Sequence, residues 1–282
     1  MIMFIVFLFK KDVVTYQKFL LEVQNEYLMT VDSYVDSQEK LMTINLLQIA
    51  FKRFETLGRL KNYLLEKGVE ISVANLSRYI NGKALPKSKL KEKLLSVLIQ
   101  NKELGLTIPT LINKRITIIS NDSENISVNN SHLLNDSKSL TTILFIALRE
   151  GIISRDVDKV ITAEVDGIPI GMILGQLLNV DCVYARKKKL VGTTKVHYED
   201  VHSHGSGRMD TLYLPDKFIR SGEKVILVDD VIRSGSTQRA LISLVRRSGG
   251  TPNQILTLIG IGDHWKEITT LDSIPFKSLI IL

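Results

Sequence analysis

The chain has 282 residues, of which 44% are hydrophobic and 24% are charged, and its formal net charge is +7. This composition excludes disorder or collagen-like repetition throughout, and the length predicts two folded units, since one domain usually takes roughly 100 to 200 residues. A lone cysteine, Cys182, excludes an internal disulfide and favours a reducing cytoplasm as the location.

The chain starts with nine apolar residues, 1–9, and no basic segment precedes them. A bilayer span needs about 20 apolar residues, so we expect neither a membrane helix nor a signal peptide here. The segment is either a buried strand or a consequence of a start codon placed upstream of Met29 or Met42. Residues 1–40 are therefore treated as an N-terminal extension with no assigned role.

Positive charge is concentrated in the N-terminal third of the sequence. Residues 52–100 contain eleven Lys and Arg against four Glu, an excess as large as that of the whole chain. The remainder is close to neutral, so an anionic partner is expected for the N-terminal module.

Helical spacing of apolar residues predicts helices over 41–54 and 57–65, the second ended by Gly68. Ser72 is a suitable N-cap for a short helix over 73–80, which Asn81-Gly82 ends. Leu76 and Ile80 are expected to face inward in this helix. A further helix is predicted over 88–98.

This order of helices is the layout of a helix-turn-helix module, placed at 41–105. Its segment 73–86 resembles the recognition helix and following turn of phage-repressor-like DNA-binding domains, chiefly through Ser77-Arg78-Tyr79-Ile80-Asn81-Gly82. The resemblance implies that DNA contacts come from Ser72, Asn75, Ser77, Arg78, Tyr79 and Lys83. The alternative is a small all-α domain with a solvated basic face.

Residues 120–138 are rich in Asn, Ser and Asp, which predicts a linker or surface loop; we place the linker at 106–138. In the following domain, 139–282, short apolar runs alternate with helices. That alternation predicts an α/β fold with a parallel sheet covered on both faces.

Two carboxylates, Asp229 and Asp230, follow the apolar run 225–228 and precede a loop of hydroxyl residues and glycine. Ligands bind at this end of the strands in open α/β sheets. The loop amides and the next helix N-terminus can hold a phosphate, while the carboxylates can accept hydrogen bonds from a sugar diol or position a hydrated Mg²⁺. The pattern predicts a site for a ribose 5-phosphate.

Residues 225–237 resemble the phosphoribosyl pyrophosphate (PRPP) signature of type I phosphoribosyltransferases, whose fold is the one predicted here. Segment 163–169 is similar to that family's pyrophosphate loop. Segment 186–189 introduces a polar stretch, 192–210, similar to the mobile loop that closes over PRPP. The resemblance implies catalytic roles for Asp229, Asp230, Lys187 and Lys189, with Mg²⁺ held beside PRPP at the two aspartates. It implies PRPP contacts from Glu164, Val165, Asp166, Gly167, Arg186, Lys188, Asp229, Asp230, Arg233, Ser234, Gly235, Ser236 and Thr237.

Several residues leave alternatives open. Asp166 stands where many family members carry a basic or neutral residue and could weaken pyrophosphate binding. Arg233 replaces a small residue and could either add a cation for the phosphate or alter the fit. The His-rich segment 197–204 is either a metal site or a solvated mobile loop, and its spacing favours the loop. Trp265 either stacks on a base or packs in the fold.

A PRPP-binding fold joined to a helix-turn-helix also resembles purine operon repressors and archaeal orotate-phosphoribosyltransferase-like regulators. We therefore expect a purine-type phosphoribosyltransferase, converting PRPP and a nucleobase to a nucleoside 5′-monophosphate and pyrophosphate, fused to a DNA-binding module that links purine status to transcription. The alternatives are a non-catalytic PRPP-sensing regulator, a metabolic enzyme whose N-terminal module only supports oligomerisation, and a silent scaffold. Family members are commonly dimers, so a homodimer is expected.

Overall fold

The computed structural model describes residues 31–122, 125–189, 191–192, 194–202, 209–263, 265–266 and 273–282. The apolar segment 1–9, with its two alternative interpretations, lies outside the described residues. Within them, no helix combines the length and apolar character needed to cross a bilayer.

Four helices form the N-terminal part: α1 (Val31–Phe54), α2 (Leu57–Glu66), α3 (Val73–Ile80) and α4 (Ser88–Leu98). The Ser72 hydroxyl caps α3 by accepting the N–H of Asn75, as its sequence position predicted. Helix α1 begins at Val31, ten residues before the predicted start, so residues 31–40 are helical and belong to this bundle.

The segment expected to be a linker, 106–138, is not an irregular loop. It contains α5 (Ile108–Asn113), an antiparallel hairpin of β1 (Thr117–Asp122) and β2 (Asn125–Asn129), and the short helix α6 (Ser131–Leu134). Along β2, partly buried Ile126 and Val128 alternate with exposed Ser127 and Asn129. The polar residues that suggested a loop occupy the outer face of a half-buried strand.

The α/β part is built on a five-stranded parallel sheet in the order β4-β3-β7-β8-β9. The strands are β3 (Lys159–Ala163), β4 (Asp181–Ala185), β7 (Lys224–Ile232), β8 (Thr251–Gly260) and β9 (Phe276–Ile281). Helices α7 (Ser137–Arg149) and α8 (Gly167–Leu178) pack on one side, and α9 (Ser236–Arg247) packs on the other. The predicted fold class is confirmed.

The N-terminal helices share a core with one face of this sheet. Leu46 of α1, Leu144 of α7 and Leu256 of β8 belong to one continuous cluster of buried apolar side chains. The hydroxyl of Tyr34 also donates to the carbonyl of Gln176 at 2.6 Å, which connects α1 to α8. The two parts are therefore packed against each other.

A charged network reinforces this packing. Lys91 of α4, only 4% exposed, lies 2.7 Å from Asp36 and 2.6 Å from Glu39 of α1. Glu39 also accepts a hydrogen bond from Arg149 of α7 at 2.6 Å, and Arg149 pairs with Glu92 of α4. Burial disfavours the charged ammonium, but its hydrogen bonds to Asp36, Glu39 and Glu92 outweigh burial and raise the pKa of Lys91.

The stretch expected to be a mobile loop, 192–210, contains one strand of a second antiparallel hairpin and the start of the other. Its strands are β5 (Val196–His202) and β6 (Met209–Pro215), and residues 203–208 between them are not described. The hairpin packs on α9, where Glu199 accepts a 2.6 Å hydrogen bond from the Ser243 hydroxyl and lies 2.9 Å from the Arg247 guanidinium. Alternating apolar residues, among them buried Val201 and Leu212, explain why this polar segment forms strands.

Candidate active site

The carboxyl ends of β3, β4 and β7 open onto a cavity of about 410 Å³. Three segments singled out in the sequence converge here: the loop after β3, the residue Lys187 after β4, and the end of β7 with the loop that follows. The lining also includes residues of the β5–β6 hairpin. The residues that line the cavity are Ala163, Glu164, Val165, Asp166, Lys187, Val201, Asp210, Leu212, Asp229, Asp230, Val231, Arg233, Ser234, Ser236 and Thr237.

Asp229 and Asp230 form the acidic floor of the cavity, and each is held by a side-chain amide. Gln238 of α9 donates to Asp229 Oδ2 at 2.7 Å, and Asn130 donates to Asp230 Oδ2 at 2.6 Å. Burial raises the pKa of Asp229 well above its usual range, and the neighbouring charge of Asp230 adds to this. Burial also raises the pKa of Asp230, against the opposing effect of the Asn130 hydrogen bond.

The phosphate loop joins β7 to α9. Gly235 has a left-handed backbone, with φ of 73°, and caps α9, whose first turn carries no acidic residue. The hydroxyls of Ser234 and Ser236 lie 3.1 Å apart, and Arg239 donates to the carbonyl of Ser234 at 2.8 Å. Open helix N–H groups beside hydroxyls provide the donors that a phosphate needs.

Arg233 occupies the rim of the same loop. Its guanidinium donates to the carbonyl of Ile126 in the β1–β2 hairpin. The sequence left two roles open for Arg233, a cation for the phosphate or a change of fit. The contact shows a third role, because the side chain connects the phosphate loop to the hairpin.

The loop after β3 is braced against the loop after β4. Glu164 accepts the backbone N–H of Lys187 at 2.6 Å, and its second oxygen lies 3.5 Å from Arg186 Nε. The Glu164–Val165 peptide bond is cis. A Cβ at Gly167 would lie 1.9 Å from Thr162 Oγ1 and 3.3 Å from Asp229 Oδ1. Glycine is therefore needed at 167 because α8 packs closely on β3, a reason that differs from the approach to pyrophosphate predicted from the sequence.

Of the basic run 186–189, Lys187 lines the cavity, where its ammonium lies 3.0 Å from the Asp210 carboxylate. Lys188 and Lys189 are exposed and are not part of the described lining. The structure does not bring Lys189 to the acids with which the sequence grouped it.

Three residues of this site were missed from the sequence. Gln238 directly follows the recognised motif, and its position there is the one available signal. Asn130 and Asp210 come from the two hairpins, and no spacing in the sequence relates them to Asp230 or Lys187.

Trp265 is buried, 5% exposed, and packs on Phe276 with ring centroids 4.5 Å apart. It is not part of the cavity lining, so the structure corresponds to the packing alternative. In the His-rich segment, His197 Nε2 forms a hydrogen bond with Asp216 Oδ1 at 2.7 Å. No cluster of three or more metal-ligating side chains occurs in the described part of the chain, and His204 lies outside that part.

The DNA-contact residues predicted around α3 divide into two groups. Asn75, Arg78 and Lys83 are exposed, and Ser77 is half-buried. Tyr79 was expected to contact DNA, but it is 8% exposed and packs in the core. Leu76 and Tyr79 lie three residues apart on the same helix face, so Tyr79 turns inward while Ile80 is only partly buried.

A parallel sheet with paired acids and a loop of hydroxyl residues at its carboxyl edge places the protein among the open α/β folds, whose ligands bind at that edge. Residues 134–277 match the family model of the phosphoribosyl transferase domain, and the chain belongs to that family.

Curated relatives agree with membership of this family. The chain is 35% identical over 118 residues to a hypoxanthine/guanine phosphoribosyltransferase of Methanocella paludicola, covering 41% of this chain and 58% of that protein. It is 38% identical over 130 residues to one of Methanococcus maripaludis, covering 45% and 66%. The chain thus spans less than two thirds of these curated relatives.

The structure is similar to adenine phosphoribosyltransferases of Thermoanaerobacter pseudethanolicus (TM-score 0.54, 23% identity) and Rhodothermus marinus (0.52, 24%). Each likeness covers 62% of this chain, and they cover 100% and 98% of those chains. At this identity the two likenesses establish the fold.

Proposed function

We propose that the chain is a purine phosphoribosyltransferase that converts PRPP and a purine base to a nucleoside 5′-monophosphate and pyrophosphate. The observation that carries the proposal is the convergence of Asp229 and Asp230, the phosphate loop 234–237 and Lys187 on one cavity. The names of the relatives, hypoxanthine/guanine phosphoribosyltransferase, support a purine as the acceptor.

Each part of the cavity has a role in this reaction. The N-terminus of α9 and the hydroxyls of Ser234, Ser236 and Thr237 bind the 5-phosphate. Asp230 and Asp229 accept hydrogen bonds from the ribose hydroxyls and place negative charge beneath the cationic ribose that develops as pyrophosphate leaves. Lys187, once its ammonium is released from Asp210, supplies positive charge to the departing pyrophosphate. Catalysis is then mainly positioning and charge stabilisation.

The acids also fit a magnesium ion. Mg²⁺ prefers oxygen ligands and is commonly held by one or two carboxylates together with substrate oxygens, which agrees with a pair of aspartates at this site. Bound there, Mg²⁺ would neutralise charge on PRPP. Asp230 is the more accessible ligand, because Asp229 is 9% exposed and its Oδ1 and Oδ2 accept hydrogen bonds from the Asp230 N–H and Gln238.

The test is product formation by the purified full chain. PRPP and Mg²⁺ are offered with adenine, guanine, hypoxanthine, xanthine or orotate in separate reactions. We expect nucleotide from one or more purines and none from orotate. Saturable PRPP binding without any nucleotide would favour the sensing role, and a folded protein without PRPP affinity would favour the silent scaffold.

We propose DNA binding as a second function, because α3 and the turn after it present a solvent-exposed face with two basic side chains, Arg78 and Lys83. Asn75, Arg78 and Lys83 lie on it, and Gln48 of α1 fixes the end of α3 by donating to the carbonyl of Ile80 at 2.7 Å. A homodimer, proposed from the resemblance, would present two such faces to a two-fold site. A metabolic enzyme whose helices only support oligomerisation is the alternative, and a cytoplasmic location stays a prediction.

Arg78→Ala and Lys83→Ala are expected to weaken DNA binding while leaving PRPP affinity unchanged. Each lost phosphate contact should reduce the log–log salt slope of the binding constant by about 1. Titration of duplex DNA at several salt concentrations measures this, with the exposed Lys217→Ala as the matched control on the α/β part. Equal salt slopes for all of these proteins would contradict a role for the basic face.

A further inference from the structure

Asn130 directly follows the β1–β2 hairpin and forms one module with it, 117–130, which lies outside the residues that match the family, 134–277. Its side-chain amide nevertheless donates a 2.6 Å hydrogen bond to Asp230 Oδ2, across a sequence separation of 100 residues. The active-site acid is thus held by a group that the family domain itself does not supply.

The side chain of Asn130 is diverted from the role that its position favours. Asn130 is the N-cap of α6, and asparagine in that position commonly accepts a backbone N–H of the helix. Here it makes no capping hydrogen bond, and the preceding Asn129 accepts the N–H of Ser131 at 3.0 Å. Because capping does not explain the conformation of Asn130, its contact with Asp230 is the interaction that accounts for it.

The backbone that carries Asn130 is anchored on both sides. The Asn130 carbonyl accepts the N–H groups of Leu133 at 2.9 Å and Leu134 at 3.0 Å, and Leu133 is fully buried. On the other side, the carbonyl of Ile126 accepts the guanidinium of Arg233 from the phosphate loop. The module therefore contacts the site at two points and presents the amide in a fixed place.

We propose that Asn130 is a positioning residue, which orients the Asp230 carboxylate toward the ribose of PRPP. A neutral amide suits this task because Asp229 adjoins Asp230 and Asp166 acts on it from the cavity wall as a further negative charge. A carboxylate left without the amide would be repelled by these neighbours and would leave the orientation that binds ribose. The inference rests on the proposed function, because it assigns Asn130 a part in PRPP binding.

The test compares three substitutions of Asn130 in the full chain by titration with PRPP and Mg²⁺. Asn130→Ala removes the donor and should raise the dissociation constant about 10- to 100-fold, the usual effect of removing the hydrogen-bond partner of a metal-ligating side chain. Asn130→Asp has the same shape but adds a repelling charge, so it should bind more weakly still. Asn130→Gln keeps an amide donor and should recover part of the affinity. The exposed hairpin substitution Ser127→Ala should bind as the wild type does.

Where turnover is measurable, the KM for PRPP should rise in Asn130→Ala while the KM for the base stays unchanged. Thermal unfolding of Asn130→Ala, Asp230→Ala and the double variant measures the coupling of the two side chains without any ligand. Wild-type affinity in Asn130→Ala and Asn130→Asp would overturn the inference while leaving the proposed function intact. So would equal loss in the Ala and Gln variants together with a lowered melting temperature, since Asn130 would then be merely structural. A wild-type protein that does not bind PRPP would refute both proposals.

Discussion

Replacing Asp229 and Asp230 together with asparagine is expected to lower product formation by about 100- to 1000-fold, the size of effect seen when preorganised charge is removed from an active site. The reason is that the amides keep the shape of the acids but offer no negative charge to the developing cation or to a metal ion. Rates with PRPP, Mg²⁺ and the preferred purine measure the loss. The matched control is Asp181→Asn, because Asp181 is an exposed acid at the first residue of β4, the end of the strand that faces away from the cavity.

The single variant Asp230→Asn should also be more stable than the wild type at neutral pH, with a higher Tm. Burial raises the pKa of Asp230, so ionisation of this side chain opposes folding. The opposition is present when the pH lies above the folded-state pKa and disappears as the pH falls below it. The stability gain of Asp230→Asn should therefore vanish in acid, and thermal melts at several pH values test this. A gain that grows in acid would contradict the sign of the pKa shift.

Lys91→Ala is expected to lower the free energy of unfolding by about 3–5 kcal/mol, since it leaves the 5%-exposed Glu39 without one of its two cationic partners. The same network joins α1 and α4 to α7 of the α/β part, so the transition should shift as a whole. Urea denaturation followed by circular dichroism measures the change. Lys89→Ala, which removes an exposed lysine two residues away on α4, should change stability little.

A second variant separates loss of charge pairing from loss of packing. Glu39→Leu combined with Lys91→Met replaces the ion pair by apolar side chains of similar size and should recover most of the stability lost in Lys91→Ala. Arg149 keeps Glu92 as a partner in that variant. If the double variant is as unstable as Lys91→Ala, the network stabilises the fold by a route other than neutralising a buried carboxylate.

Local signals in the sequence predicted much of the fold and the centre of the site. Residues 73–80 form a helix with Ser72 as its cap, because capping and apolar spacing act within a single turn. The segment 225–237 was predicted as a strand, two acids, a loop and a helix start because the residues that signal each of these follow one another within thirteen positions. Both of these predictions used only near neighbours along the chain.

The linker prediction was wrong because polar composition was taken as a sign of a loop. Segment 120–138 is polar on average, yet it contains strand β2, whose alternating side chains divide between core and solvent. The average polarity of a segment does not show which of its residues alternate between the core and the solvent. Tyr79 was misplaced for a related reason, since its orientation depends on which face of α3 meets the neighbouring helices.

The sequence by itself determined the family, the α/β class, the paired acids and the phosphate loop, because these depend on local patterns and on the topology that those patterns impose. Only the tertiary structure decided the contacts between distant groups: Asn130 with Asp230, Asp210 with Lys187, and the N-terminal helices with the sheet. The physical reason is that such contacts depend on how the hairpins and helices pack. Packing buries apolar area over the whole chain, so the residues that it brings into contact have no fixed separation in the sequence.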